Sequence, residues 1–292
     1  MNSTEHRSAS PPLLETKYLA VVALLVLIFW DAGKTLYTNW TLADSYYSHG
    51  FLVPVVSLVL IWRERAALRR LPASPSAWGV LWIVFGAICL FTGDFLHFAV
   101  LGSLAIIPMV VGALLMLQGR QRVARIWFPL AFLLFMIPIP PSLTQSVAFK
   151  LKLLAAECAV RLARLLTLPI VRDGSYVHFG DDRLIIGDIC GGLRSLIALL
   201  ALGALMAYMS KTRPWARLLV LLLAGPIAVA SNVFRIFLLC VVGHFWGSGV
   251  AGGTVHDVSG YLIFVVAFVL FFSLESLLRR LAPAGPEEEG GS

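Results

Sequence analysis

Three polar groupings in an otherwise apolar chain have the residue types needed for nucleophilic chemistry. The first runs Asp188-Ile189-Cys190-Gly191-Gly192-Leu193-Arg194-Ser195, at the start of an apolar stretch. A cysteine at a helix N-terminus meets unpaired N–H groups and the helix dipole, which favour its thiolate. Arg194, one helical turn on, would add positive charge beside the sulfur. Gly191 and Gly192 remove bulk and let another chain approach. The second grouping is Ser231-Asn232-Val233-Phe234-Arg235, and Arg235 is the sole full charge between Arg217 and Asp257. It lies roughly 27 Å along a helix from Arg217. An arginine inside a membrane span costs about 2.5–3.5 kcal/mol on insertion scales, which makes it a functional candidate. The third is His256-Asp257, after a Gly-rich loop. Histidine is the side chain best suited to proton transfer near neutral pH. A thiol, a base and a fixed cation are the parts of an acyl-transfer site, in which the sulfur attacks a carbonyl and the cation faces the oxyanion. Each residue also has a plainer reading. Cys190 fits a small apolar cysteine beside a loose helix start, Arg235 fits an arginine snorkelling to the interface, and His256 fits a structural interfacial histidine.

The elements that must position these residues are membrane spans. Of 292 residues, 59% are hydrophobic and 13% charged, and mean hydropathy is +0.86. A soluble domain is closer to half apolar and a quarter charged, so the apolar excess is expected to face lipid. Hydropathy predicts an all-α polytopic protein with about eight spans, near 18–37, 47–62, 78–93, 98–117, 126–140, 191–209, 217–246 and 258–277. Residues 1–17 and 282–292 read as disordered cytoplasmic tails around a transmembrane domain of residues 18–281. The first apolar run reads as a retained anchor rather than a cleaved signal.

Arg63, Arg65, Arg69 and Arg70 share one loop, Arg120, Arg122 and Arg125 a second, and Lys211, Arg213 and Arg217 a third. Arg279 and Arg280 follow the last span. Positive loops stay cytoplasmic, so both termini are expected inside, with Asp31, Asp44, Asp94, Asp181, Asp182, Asp188 and Asp257 outside. The net charge of +7 is thereby accounted for without nucleic acid. Residues 145–171 place Lys150, Glu157, Arg161 and Arg164 on one narrow helical face. A spanning helix there would move every later basic loop outside, so an amphipathic helix on the outer surface is expected. Asp173-Gly174 and Gly180-Asp181-Asp182 bracket an alternating stretch that predicts a short extracytoplasmic β-hairpin leading into Leu184–Ile186. This topology, drawn from loop charges alone, puts Cys190, Arg235 and His256 at similar depth on the outer face. The four cysteines lack metal-ligand spacing, so neither metal nor cofactor is expected.

The chain resembles the exosortases, of the exosortase/archaeosortase group of membrane-embedded sorting transpeptidases. The resemblance is carried by Asp188–Leu196, Ser231–Ile236, the segment from His256 to Gly260-Tyr261, and the early Tyr47-Ser48-His49-Gly50-Phe51-Leu52-Val53-Pro54. Where many members carry a serine near the cysteine, this chain reads Cys190-Gly191-Gly192, which keeps a small residue. The resemblance implies a cysteine peptidase/transpeptidase of the bacterial inner membrane, with its active site on the periplasmic side. Its substrates would be secreted proteins ending in a PEP-CTERM-type signal: a Pro-Glu-Pro-like motif, a transmembrane helix and a basic cluster. It also implies Cys190 as nucleophile through an acyl-thioester, Arg235 as catalytic arginine, assigned as proton donor, and His256 as base or transition-state stabiliser. A guanidinium keeps its proton to above pH ~12, which favours Arg235 as oxyanion and thiolate partner and His256 as proton carrier. Arg194, Asn232 and His49 are further candidates for substrate binding or support, or for tying helices together. Arg161, Arg164 and Arg172 are expected to face the acidic residue of the substrate motif.

Other readings use the same residues. A transporter or channel would line a polar path with Arg235, Asn232 and His256, with Gly225 and Pro226 breaking a span. An export-assembly subunit would tolerate loss of Cys190. A membrane acyltransferase would load the sulfur from a lipid. A disulfide between Cys158 and Cys190 would remove the nucleophile.

Overall fold

The computed structural model describes residues 12–42, 45–179, 182–185 and 192–282. Cys190 and Asp188 lie outside them, and so do Gly191, residues 1–11 of the expected first tail and residues 283–292 of the second, whereas residues 12–17 of the first begin a helix. The chain divides into two compact units, residues 1–39 with 54–137, and residues 40–53 with 138–292.

The first unit holds helices α1 (Pro12–Ile28), α2 (Trp30–Thr41), α3 (Leu52–Arg63), α4 (Arg65–Arg70) and α5 (Trp78–Phe95). It continues with α6 (Ala99–Leu104), α7 (Ile106–Gln118), α8 (Arg120–Arg125), α9 (Trp127–Phe132) and a 3-10 turn, Leu133–Met136. Helices α5 and α7 approach closely because glycines line the seam. A Cβ on Gly79 would lie 2.5 Å from the Gly112 carbonyl oxygen, and one on Gly112 would lie 2.7 Å from that of Gly79. Gly86 and Gly93 repeat the contact at seven-residue intervals, the latter 2.5 Å from the Gly102 nitrogen. Small residues on one stripe let apolar helices gain dispersion contacts where lipid offers no hydrophobic drive.

The second unit holds α10 (Pro141–Leu165), strands β1 (Ile170–Asp173), β2 (Tyr176–Phe179) and β3 (Asp182–Ile185), then α11 (Leu193–Met209), α12 (Pro214–Trp246), α13 (Ser248–Gly252) and α14 (Thr254–Leu281). The expected hairpin is part of a three-stranded antiparallel sheet in the order β1-β2-β3. Gly174, at φ +56°, supplies its first turn. Ile170, Val177 and Leu184 point inward from successive strands and join Ala155, Ala159 and Ala163 of α10 and Ile236 and Leu239 of α12 in one core.

Eight apolar stretches do not become eight membrane-length helices. Among the described residues, four helices are long and apolar enough to cross: Trp78–Phe95, Ala99–Gln118, Pro214–Trp246 and Val258–Leu281. Two broken pairs raise the number to six, Tyr18–Ile28 with Trp30–Thr41, bent by 67°, and Trp127–Met136 with Pro141–Leu165. The expected second and sixth spans are α3, of 12 residues, and α11, of 17. At ~1.5 Å per residue these reach about 18 and 25 Å, short of a ~30 Å hydrocarbon core. The expected fifth span ends at the prolines 138, 140 and 141, which cannot continue a helix.

Helix α10 is amphipathic as expected, with Lys150 and Arg161 exposed. Its other face is buried against α12 and the sheet through a run of alanines, and Lys152 is buried with them. The three arginines assigned to substrate docking have partners within the chain. Arg161 Nε and Arg172 Nε donate to the two oxygens of Glu157, at 2.7 and 2.9 Å, and Arg164 Nε donates to the Ile170 carbonyl at 2.9 Å. Arg161 first, then Arg172, holds the Glu157 carboxyl below the usual carboxylate range. These contacts tie the sheet to α10.

Candidate active site

The site is built from the start of α11, the second half of α12 and the start of α14, all in the second unit. Helix α11 starts at Leu193, slightly later than expected, with Gly192 as N-cap. Gly192 adopts φ +75°, where a side chain is strained. A Cβ there would also lie 2.5 Å from Asn232 Nδ2. Only glycine satisfies both conditions. The Gly192 carbonyl then accepts from Ser195 Oγ at 2.9 Å and from the Leu196 N–H at 2.7 Å, which fixes the first turn. Arg194 is half-buried in that turn. A cavity of about 10 Å³, the room one water needs, lies among Gly192, Asn232, Leu196 and Ala155.

Helix α12 carries Ser231, Asn232 and Arg235, all buried. Arg235 retains 7% exposure, and its Nε donates to Ser259 Oγ of α14 at 3.0 Å. Ser259 is itself 1% exposed. The guanidinium lies against α14 beside Gly260, where a Cβ would meet Arg235 Nη2 at an ordinary contact distance of 3.6 Å. Arg235 therefore does not snorkel; it is a held cation between two helices. Ser231 lies one turn before it, and its Oγ has no hydrogen-bond partner among the described residues. His256 is in the first turn of α14, three residues before Ser259. Its side chain, like Asp257's, is outside the described residues, as is all of Cys190.

His49 lies half-buried in the turn that precedes α3. Its neighbour Tyr47 anchors that turn, accepting from the Ile139 N–H at 2.8 Å and packing with Ala148, Leu193 and Ile197. Gly50 admits the Trp40 indole. The turn thus packs on the first residues of α11, next to Gly192.

The structure accordingly joins Gly192 to Asn232, Arg235 to α14, and the His49 turn to the start of α11. Ser259 did not stand out in the sequence, and Gly260 stood out only as part of the segment that follows His256. Their signal was spacing, since positions 256, 259 and 260 share a helical face. Helix α12 runs unbroken through Pro226, so the discontinuous helix that a transporter reading invoked is not found. Cys158 is a free thiol, and among the described residues no three His, Cys, Asp or Glu side chains converge as metal ligands.

The Ser259 hydroxyl accepts from Arg235 Nε and so positions the guanidinium. Ser259→Ala removes that hydroxyl, and a thermal-shift assay is expected to show about 1 kcal/mol of lost stability. Ser259→Thr, which keeps the hydroxyl, should restore it. A loss that threonine does not rescue would make the serine a packing residue.

A family model described as transmembrane exosortase matches residues 30–273. No curated protein and no solved structure matches the chain.

Proposed function

The chain belongs to the transmembrane exosortase family, and on that premise we propose that it is a cysteine peptidase/transpeptidase that processes C-terminal sorting signals. The observation that carries this reading is Arg235, a buried guanidinium tied to Ser259 one turn past His256. A charge fixed before the reaction needs no reorganisation when an oxyanion forms, which is the most effective electrostatic arrangement for acyl transfer. Cys190 is two residues from Gly192, and two residues of chain span at most about 7 Å. That tether keeps a nucleophile within reach of Asn232 and its neighbours.

In the proposed sequence the Cys190 thiolate attacks the scissile carbonyl carbon. A C–S bond forms, and the carbonyl electron pair moves to oxygen beside Arg235. Collapse of this intermediate expels the amine of the departing segment, which takes a proton from His256. The acyl-thioester is then resolved by water, an amine or a lipid hydroxyl, which loses its proton to His256 as the thiolate leaves.

The proposed topology has eight crossings, the α1–α2 pair, α3, α5, α6–α7, α9 with its 3-10 turn, α11, α12 and α14, of which the short α3, α9 and α11 require a locally thinned bilayer. Both termini are inside the bacterial inner membrane, and the sheet and α10 lie at its outer face. The basic clusters support this orientation. A substrate tail with its basic end inside would then present its Pro-Glu-Pro motif beside the site. Co-expression with a reporter ending in such a motif, a hydrophobic helix and an Arg cluster tests the function. A shortened reporter with a new C-terminus in the motif, identified by mass spectrometry, is expected. Solute flux with no reporter processing would favour the transport reading instead.

A further inference from the structure

A second site lies in the first unit, where α3 and α4 meet α7 and α8. A cavity of about 420 Å³ opens there. Leu68, Leu114, Val123 and Ile126 give it an apolar wall. Arg65, Arg69 and Arg122 line the same space with Gln118, and among the described lining residues there is no carboxylate. The nearest acid in sequence, Glu64, is occupied by Arg125 Nε at 2.7 Å.

Two of the three guanidiniums are held in place. Arg122 donates from Nε and Nη2 to the Leu71 carbonyl, at 3.1 and 2.7 Å, and from Nη1 to Gln118 Oε1. Gln118 in turn donates to the Tyr18 hydroxyl at 2.6 Å. Arg65 donates to the Trp62 carbonyl at 2.9 Å and stacks on the Trp62 ring at 3.7 Å. Trp62 and Trp127 are exposed, at 62% and 61%. Exposed tryptophans mark the headgroup level of a bilayer, so the cavity sits at the depth of lipid phosphates.

We propose that this cavity binds one phospholipid with an anionic headgroup, its phosphate against Arg65, Arg69 and Arg122 and its first chain carbons along the Leu68–Ile126 wall. Preorganised arginines match phosphate oxygens by paired charge-assisted bonds, and basic pockets between membrane helices take such headgroups. The apolar wall selects a lipid over free phosphate. The basic cluster of a sorting signal is excluded by like charge.

The site is tested on purified full-length protein from nanodiscs holding equal phosphatidylglycerol and phosphatidylcholine, with bound lipid read by native mass spectrometry. Wild type is expected to retain one phosphatidylglycerol in preference to phosphatidylcholine. Arg65→Gln/Arg69→Gln should weaken retention roughly 30-fold, from about one kcal/mol per arginine at an anionic surface. Inorganic phosphate should not displace the lipid. Equal retention of both lipids, unchanged retention in the double variant, or displacement by inorganic phosphate would each overturn the proposal. Both arginines are exposed, and the single variants give the same reading if the double variant does not fold. Binding is measured without turnover, so its failure is separate from any failure of the peptidase reading.

Discussion

Cells expressing Cys190→Ala at wild-type levels are expected to leave the sorting reporter at full length. Without the sulfur there is no thioester and no second half-reaction. Removing a nucleophile that acts as a unit with its partners costs on the order of 10⁶ in rate, far below what a blot detects. The substitution removes one atom from a position followed by two glycines, so expression and thermal stability should be unchanged. Membrane fractions checked by blot and a thermal-shift assay establish that control. An export-assembly role predicts the opposite, with normal function in the alanine variant.

Arg235→Gln and Arg235→Lys are expected to lower processing about 10²–10³-fold, the loss seen when an oxyanion donor is removed. Glutamine keeps a hydrogen-bonding group toward Ser259 but removes the charge. Lysine keeps the charge but not the planar fork that reaches Ser259 Oγ at 3.0 Å and lies along Gly260. Purified variants assayed on a peptide spanning the motif should show the loss in kcat. Processing within threefold of wild type in either variant would reduce Arg235 to a helix-tying residue.

Arg235 stood out in the sequence because a lone charge in a long apolar run is expensive in lipid, and it is buried as that cost implies. Ser259 did not stand out, since a serine in an apolar helix has no pattern of its own; only the fold of α14 against α12 gives it a partner. The glycines 79, 86 and 93 were legible as a seven-residue stripe and went unread, because hydropathy averages over them. The same averaging made full spans of α3 and α11, whose lengths depend on where Gly192 and the turn at 45–51 start the helices. The basic residues of α10 were read correctly as one face, yet their partner was missed. Glu157, on that same face, takes two of the arginines assigned to a substrate. The Gly192–Asn232 contact was not foreseen, because the glycines were read as room for another chain and not for a side chain of α12.

Intact-mass analysis after rapid quenching of enzyme with a motif peptide tests most directly whether Cys190 carries the acyl group. An adduct of the acyl fragment is expected, mapped by peptide sequencing to Cys190, released by hydroxylamine and missing from Cys190→Ala. The other cysteines, Cys89, Cys158 and Cys240, serve as internal controls and should remain unmodified. Peptide cleavage with no adduct on Cys190, or the same adduct on the alanine variant, would contradict that role for Cys190.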